Sequence, residues 1–228
     1  MAKTASERGD PASKTILIVD DHPVLRRGLA VLIESEPDLS VCGEAATCQD
    51  ALEAVRESGP DVVLVDLELD GCHGLDLVRT LKARHPDIPA LVLSMHDESV
   101  YAERSLKAGA RGYVTKQELD TTVLVAIHRL LDGECYMSEQ LEARLAAKLV
   151  NGRTLVADSP LDVLSNRELQ VFRLVGQGRT TRQIANSLTL SIKTIESHLE
   201  HIKQKLTLNT AAELAQRATQ WVESGHTR

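Results

Sequence analysis

Along the first half of the chain, short apolar runs alternate with amphipathic stretches. Ile16-Leu17-Ile18-Val19 stops at Asp20-Asp21, and Val62-Val63-Leu64-Val65 stops at Asp66. Ala90 to Leu93 ends at Ser94, and Gly112-Tyr113-Val114 leads to Lys116. Ser40 to Glu44 is a further short strand candidate. Apolar runs without alternation suit strands covered on both faces of a parallel sheet. Between them, helical spacing predicts helices over Pro23 to Ser35, Asp50 to Ser58, Leu75 to Arg84, Glu98 to Lys107 and Glu118 to Leu131. Pro23 suits a first helical turn. Strict alternation of strand and helix makes an open α/β sheet with helices on both faces, expected in the common order 2-1-3-4-5.

After Gly133 the strand signal disappears. Glu139 to Leu149 is a helical patch that reads equally as linker or as an extra helix of the first domain. Asn151 to Pro160 is polar, carries Gly152 and Pro160, and reads as an interdomain linker. The remainder is all helix, with clear start signals. Ser165 to Glu168 is a capping box flanked by Leu164 and Leu169 as a staple. Thr180 to Gln183 caps a short second helix. Ser191 caps a third, in which Ile195, Leu199, Ile202 and Leu206 recur at helical spacing, and Thr210 to Glu213 is a further capping box. The expected division is a disordered tail over 1–14, an α/β domain over 15–133, a linker with a helical segment over 134–160, and a four-helix domain over 161–228.

Charge separates these parts further. The net charge is −7, but Leu161 to Arg228 carries nine Lys/Arg and six Asp/Glu, so the front is acidic and the back mildly basic. With 43% hydrophobic and 26% charged residues, disorder throughout is excluded. No apolar run approaches the length of a membrane span, and Met1 to Thr15 lacks the apolar core of a secretory signal, so a cytoplasmic location is expected. The four cysteines lie far apart with no C-x-x-C, so reduced thiols are expected rather than a zinc site or a disulfide framework. Five aromatic residues are too few for single-strand binding by base stacking.

In open α/β sheets, ligands bind beyond the carboxyl ends of the strands. Asp20, Asp21, Asp66, Ser94 and Lys116 stand at such ends. In the order 2-1-3-4-5, strands one and three are neighbours and the three carboxylates converge. Clustered carboxylates repel one another unless a cation neutralises them, and an all-oxygen site suits Mg²⁺. A lysine and a small hydroxyl opposite suit phosphoryl oxygens, so the pocket can make a carboxylate nucleophile and stabilise an acyl phosphate.

The segments I-L-I-V-D-D-H at 16–22, V-V-L-V-D at 62–66, L-V-L-S at 91–94 and K-A-G-A-R-G-Y-V-T-K at 107–116 resemble a response-regulator receiver domain. The resemblance implies a flavodoxin-like fold, Asp66 as phosphoacceptor for a histidine kinase, and Asp21 and Asp66 as Mg²⁺ ligands. Asp20 stands beside them, and the backbone carbonyl of Glu68 completes the protein's share. It further implies Ser94 and Lys116 as phosphoryl contacts, with Tyr113 as the aromatic whose rotamer follows Ser94. Two positions depart from the family's habit: Asp70 replaces a common proline, and Lys116 precedes Gln117 rather than proline.

Ile184, Ala185, Leu188, Leu190, Ile195 and Leu199 fit a helix-turn-helix whose second helix offers its first turn and outer face to a major groove. Backbone N–H groups at Ser191 to Thr194 and the charge of Lys193 suit a phosphate. L-S-N-R-E at 164–168, G-R-T-T-R-Q-I-A at 178–185, S-I-K-T-I-E-S-H-L at 191–199 and I-K-Q-K-L at 202–206 resemble the LuxR-type DNA-binding domain. Joined to a receiver, they resemble the NarL/FixJ class of transcription regulators. The DNA-facing candidates are Thr181, Arg182, Ser191, Lys193 and Thr194, then Glu196, Ser197, His198, Glu200 and Lys203. The acidic Glu196 and Glu200 oppose phosphates, although Glu196 can accept from a cytosine. The resemblance implies dimerisation through the last helix, at Ala211, Leu214, Ala215, Ala218 and Trp221. The expected function is kinase-driven, homodimeric promoter binding. The rivals are a phosphorylation-responsive adaptor that does not bind DNA, and a phosphatase using the carboxylate cluster.

Overall fold

A computed structural model describes residues 13–95, 98–119, 121–150 and 160–224. The tail expected over 1–14 and the linker over Asn151–Pro160 thus lie almost wholly outside the described residues. The chain runs β1 (Lys14–Val19), α1 (Pro23–Glu34), β2 (Leu39–Ala45), α2 (Cys48–Ser58) and β3 (Val62–Asp66). A two-stranded hairpin follows, β4 (Glu68–Leu69) and β5 (Cys72–His73), then α3 (Gly74–Arg84), β6 (Ala90–Ser94), α4 (Glu98–Ala108), β7 (Gly112–Thr115), a 3-10 turn and α5 (Thr121–Leu131). The main sheet is parallel throughout, in the order β2-β1-β3-β6-β7. This is the 2-1-3-4-5 order once the hairpin is set aside.

Continuous apolar strands feed both faces because successive side chains point opposite ways. Ile16, Ile18, Leu64, Leu91 and Leu93 pack with Leu29 and Ile33 of α1 and Val123 and Ile127 of α5. Leu17, Val19, Val63, Val65 and Val92 pack with Val55 of α2, Leu75 and Val78 of α3, and Tyr101 of α4. The hairpin was absent from the expected elements. Its signal is Asp70-Gly71 between Leu69 and Cys72, with Gly71 at φ +76°, the left-handed conformation that a tight turn gives to glycine. Gly74 follows without room for a side chain, since a Cβ there would lie 1.9 Å from the Asp66 carbonyl oxygen.

One sequence expectation is overturned. Cys48, at the start of α2, and Cys72, in β5, form a disulfide with Cα atoms 6.4 Å apart. Spacing rules are blind to it because 24 residues separate the pair and only the fold brings α2 against the hairpin. Cys42 and Cys135 are free thiols.

The patch after the sheet is α6 (Glu139–Val150). It packs on α4 of the first domain: Leu141 is buried, Arg144 pairs with Glu103 at 3.3 Å, and Glu98 receives the Ser138 hydroxyl and backbone N–H.

The helical domain holds α7 (Asn166–Gly176), α8 (Thr181–Ser187), α9 (Ile192–Lys205) and α10 (Ala211–Glu223). The Ser165–Glu168 and Thr180–Gln183 capping boxes close in both directions, and Ser191 accepts from Thr194 N–H. The Thr210–Glu213 box forms only half: Thr210 accepts from Glu213 N–H, but the Glu213 carboxylate turns to Asn209 N–H at 2.9 Å. Phe172, Ile184, Ile195, Ile202, Leu214 and Ala218 are buried in its core. Gly176 lets α7 meet α10, since a Cβ would stand 2.4 Å from Ala218 O.

Candidate functional site

β1 and β3 lie side by side, so Asp20, Asp21 and Asp66 reach the same edge of the sheet. β6 supplies Ser94, and Lys116 follows β7 by one residue. Asp20, Asp66 and Ser94 are all buried. Lys116 Nζ lies 2.6 Å from Asp20 Oδ2 and 2.7 Å from Asp66 Oδ2, with the lysine side chain itself buried. Asp20 Oδ1 also accepts from His22 N–H at 2.8 Å, and the Asp20 carbonyl accepts from Arg26. Four of the five strand-end residues therefore share one pocket by direct contact or adjacency, and Ser94 borders it at the end of the neighbouring strand. Tyr113 is buried on β7, opposite Val92 in the strand register.

Candidate ligand atoms of Asp20, Asp21, His22 and Asp66 fall within 4.8 Å of one another. Asp66 Oδ2 is buried in ion-pair contact with Lys116, but without an aligned hydrogen bond. Asp21 Oδ1 is in the same condition, with His22 Nδ1 2.6 Å away. An oxygen-rich cradle with under-satisfied carboxylates fits a hard divalent cation. His22 was missed from the sequence because an exposed histidine after two aspartates carries no separate signal.

Burial pushes the Asp66 carboxyl up to about 7; Lys116 pulls it down, and Asp20 adds to the rise. Burial likewise raises Asp21; His22 opposes this, while Asp20 and Asp70 reinforce it. For Lys116, burial disfavours the ammonium, but the Asp66 and Asp20 carboxylates outweigh it and lift the group above its ordinary value. Three carboxyl groups thus meet one lysine in the pocket.

The hairpin beyond Asp66 carries contacts to the helical domain. Glu68 Oε1 accepts from Arg173 at 2.6 Å and from Gln170 at 3.1 Å, both on α7. Asp70 accepts from the Thr189 hydroxyl at 3.0 Å, in the turn between α8 and α9. Arg104 of α4 donates to the carbonyls of Leu161 and Leu164 at 2.8 and 3.0 Å. A cleft of about 430 Å³ lies between the domains, with Asp21, Glu68 and Asp70 on one side and Arg167, Arg173 and Arg179 on the other. The sequence pointed only to the backbone carbonyl of Glu68. Its side chain has a partner 105 residues away, which no local pattern reveals.

On α9, Lys193, Glu196, Ser197 and Glu200 are exposed, as are Ser191 at its cap and Arg182 on α8. Thr181, Thr194, His198 and Lys203 are half-buried. Lys203 pairs with Glu200 at 2.7 Å, which lowers the Glu200 carboxyl below its usual range. Burial lowers His198. Of the positions expected for dimerisation, Leu214 and Ala218 are buried against the domain's own core, and Trp221 packs on Phe172 with ring centres 5.9 Å apart. Leu214 and Ala218 are therefore not open to a second copy, whereas Trp221 is half-buried. Ala211 is exposed and Ala215 half-buried.

Residues 16–128 match the response regulator receiver domain, and residues 162–218 match the luxR family of bacterial regulatory proteins. The chain is 34% identical to the oxygen regulatory protein NreC of Staphylococcus epidermidis, over 89% of this chain and 95% of that one. It is also 34% identical to the response regulator GacA of Pseudomonas viridiflava, over 88% and 92%. Among solved structures it is similar to the RcsB response regulator of Salmonella typhimurium, studied for conformational dynamism in DNA interaction, at 25% identity and a TM-score of 0.62 over 92% and 98%. A receiver followed by a LuxR-type helix-turn-helix, each with its expected fold, makes this chain a member of the two-component response regulators of the NarL/FixJ class.

Proposed function

We propose that Asp66 accepts a phosphoryl group from a sensor histidine kinase and that the modified protein binds promoter DNA as a dimer. The observation that carries this is the buried Asp66 carboxylate, with Lys116 at 2.7 Å and Asp20 and Asp21 around it. An Asp66 oxygen attacks phosphorus, the bond to the kinase imidazole breaks, and the freed imidazole nitrogen takes a proton from water. Asp21, Asp66 and the Glu68 carbonyl would hold Mg²⁺, with Asp20 beside it. When bound, the ion supplies positive charge to the carboxylates and the incoming phosphoryl oxygens. Lys116, released from bridging Asp20 and Asp66, holds one phosphoryl oxygen. The Ser94 hydroxyl donates to another, and Tyr113 follows Ser94.

The receiver thus carries out its own phosphotransfer and slow hydrolysis, and turns over no external substrate. Residues 15–133 form the receiver, 134–160 the connection and 161–228 the DNA-binding part. Thr181, Arg182, Ser191, Lys193 and Thr194 face the sugar-phosphate backbone, and the outer face of α9 meets the groove. No helix among the described residues is long and apolar enough to cross a membrane, which accords with work in the cytoplasm.

The test is labelling by a small phosphodonor followed by DNA retention. Label should enter the parent with Mg²⁺, and fall to background in EDTA and in Asp66→Asn. Persistent label in either would overturn the acceptor assignment. A labelled protein that never retards promoter DNA would favour the adaptor rival.

A further inference from the structure

We propose that Cys48 and Cys72 form a reversible thiol–disulfide site that sets how strongly phosphorylation at Asp66 reaches the DNA-binding domain. The inference rests on the reading of Asp66 as the switch. One six-residue segment, Glu68 to His73, is separated from the acceptor by Leu67 alone. Glu68 holds Arg173 and Gln170 of α7, Asp70 holds Thr189 before α9, and Cys72 is bonded to Cys48. The receiver's acidic grip on α7 and on the turn before α9, and its cross-link to α2, thus share one hairpin.

The base of the hairpin is already fixed. His73 is buried, its ring accepts from Leu75 N–H, and it stacks on Tyr101 at 6.4 Å. Leu67 O also accepts from Gly74 N–H at 2.8 Å. Glu68 joins that anchored base through its pairing with His73, while Leu69 and the Asp70-Gly71 turn lie beyond it. The disulfide ties the returning strand to the start of α2, and antiparallel pairing of Leu69 with Cys72 passes that restraint back toward Glu68.

Both cysteines are half-buried, so a small reagent reaches them. Cys48 is the first residue of α2, where the helix dipole favours a negative charge and therefore the attacking thiolate. Oxidation proceeds by exchange with a low-molecular-weight disulfide. The Cys48 thiolate attacks one sulfur of that disulfide and expels one small thiolate. The Cys72 thiolate then attacks Cys48 Sγ in the mixed disulfide and expels the second. The two cysteine protons go to solvent or to the expelled thiolates, and the small disulfide is reduced by two electrons. Oxidised, the hairpin keeps its hold on α7 and damps the response; reduced, the hairpin moves with the pocket.

The experiment uses the full chain with Cys42→Ser and Cys135→Ser, so that only this pair remains. It is equilibrated in reduced or oxidised glutathione. Alkylation and mass spectrometry should find two reactive thiols in the first buffer and none in the second, reversibly. Hydrogen exchange over 67–74 and α7 should be slower by about threefold or more in the oxidised form. The gain in DNA affinity on phosphodonor treatment should be about fivefold smaller when oxidised. Adding Cys48→Ser, or separately Cys72→Ser, should give the reduced behaviour in both buffers. Thiols that stay reactive in oxidised glutathione, or equal exchange in both forms, would overturn the proposal. So would an equal gain on phosphorylation in both forms. If the reduced chain takes no label and gains no affinity, the Asp66 reading fails, and the exchange comparison still decides whether the disulfide restrains the hairpin.

Discussion

The receiver pocket and the outer face of α9 place charge in opposite ways. In the pocket, Asp20, Asp66 and Lys116 are buried within 2.7 Å contacts, so each charge acts on the others at full strength. On α9, Lys193, Glu196 and Glu200 stand in solvent, and Glu200 is answered by its helical neighbour Lys203. Buried charge converts a small chemical change into a large rearrangement, because water cannot screen it. Exposed charge is screened and acts only when a partner arrives. The first arrangement suits a switch; the second suits a reader.

The sharpest way to break this contrast is Lys116→Ala. The variant should still take label at Asp66, yet its gain in DNA affinity on phosphorylation should fall by about tenfold or more. A full gain would remove Lys116 from the switch. Next comes Glu196→Ala on the reading side. Binding to the operator should weaken by about 1–3 kcal/mol, with relaxed preference at one base pair. Equal tightening on operator and random DNA would make Glu196 a solvated charge only.

A third test uses the raised Asp66 carboxyl, in EDTA. Its folded value of about 7 lies above the ordinary 3.8, so the folded state binds the extra proton between those values. Stability should therefore fall as pH rises through that window and level off above it. Asp66→Asn removes the cost, so its melting temperature should exceed the parent's by about 2–4 °C at pH 8 and by less at pH 5. A pH-independent difference would contradict the burial argument. The smallest effect is that of Lys193→Ala. It should weaken binding to all sequences alike and lower the slope of log affinity against log salt by about one.

The pocket was legible because its members sit at the ends of consecutive apolar runs, and a parallel sheet brings such ends to one edge. Two capping boxes of the helical domain were legible in full for a similar reason, since Ser165 with Glu168 and Thr180 with Gln183 are three residues apart, and the Ser191 cap was legible too. Glu213 shows the limit, since its carboxylate found Asn209 N–H within the same reach. Apolar periodicity in α10 revealed a buried stripe but not what buries it, and α7 of the same domain does so. The Glu68–Arg173 pair and the Cys48–Cys72 bond depend on which surfaces the finished fold brings together.

The packing of α6 on α4 also bounds how far the two domains can part. The receiver side is secured through Arg144 and Glu103, and the helix ends at Val150. From there to Pro160 the chain can span about 35 Å at full extension. A DNA-binding domain that lets go of Glu68 and Asp70 therefore stays within a small volume, at an effective concentration in the millimolar range. Contacts that would be negligible between separate molecules are then enough to keep the two halves together for much of the time. Modest changes in a few of them are correspondingly enough to shift the balance.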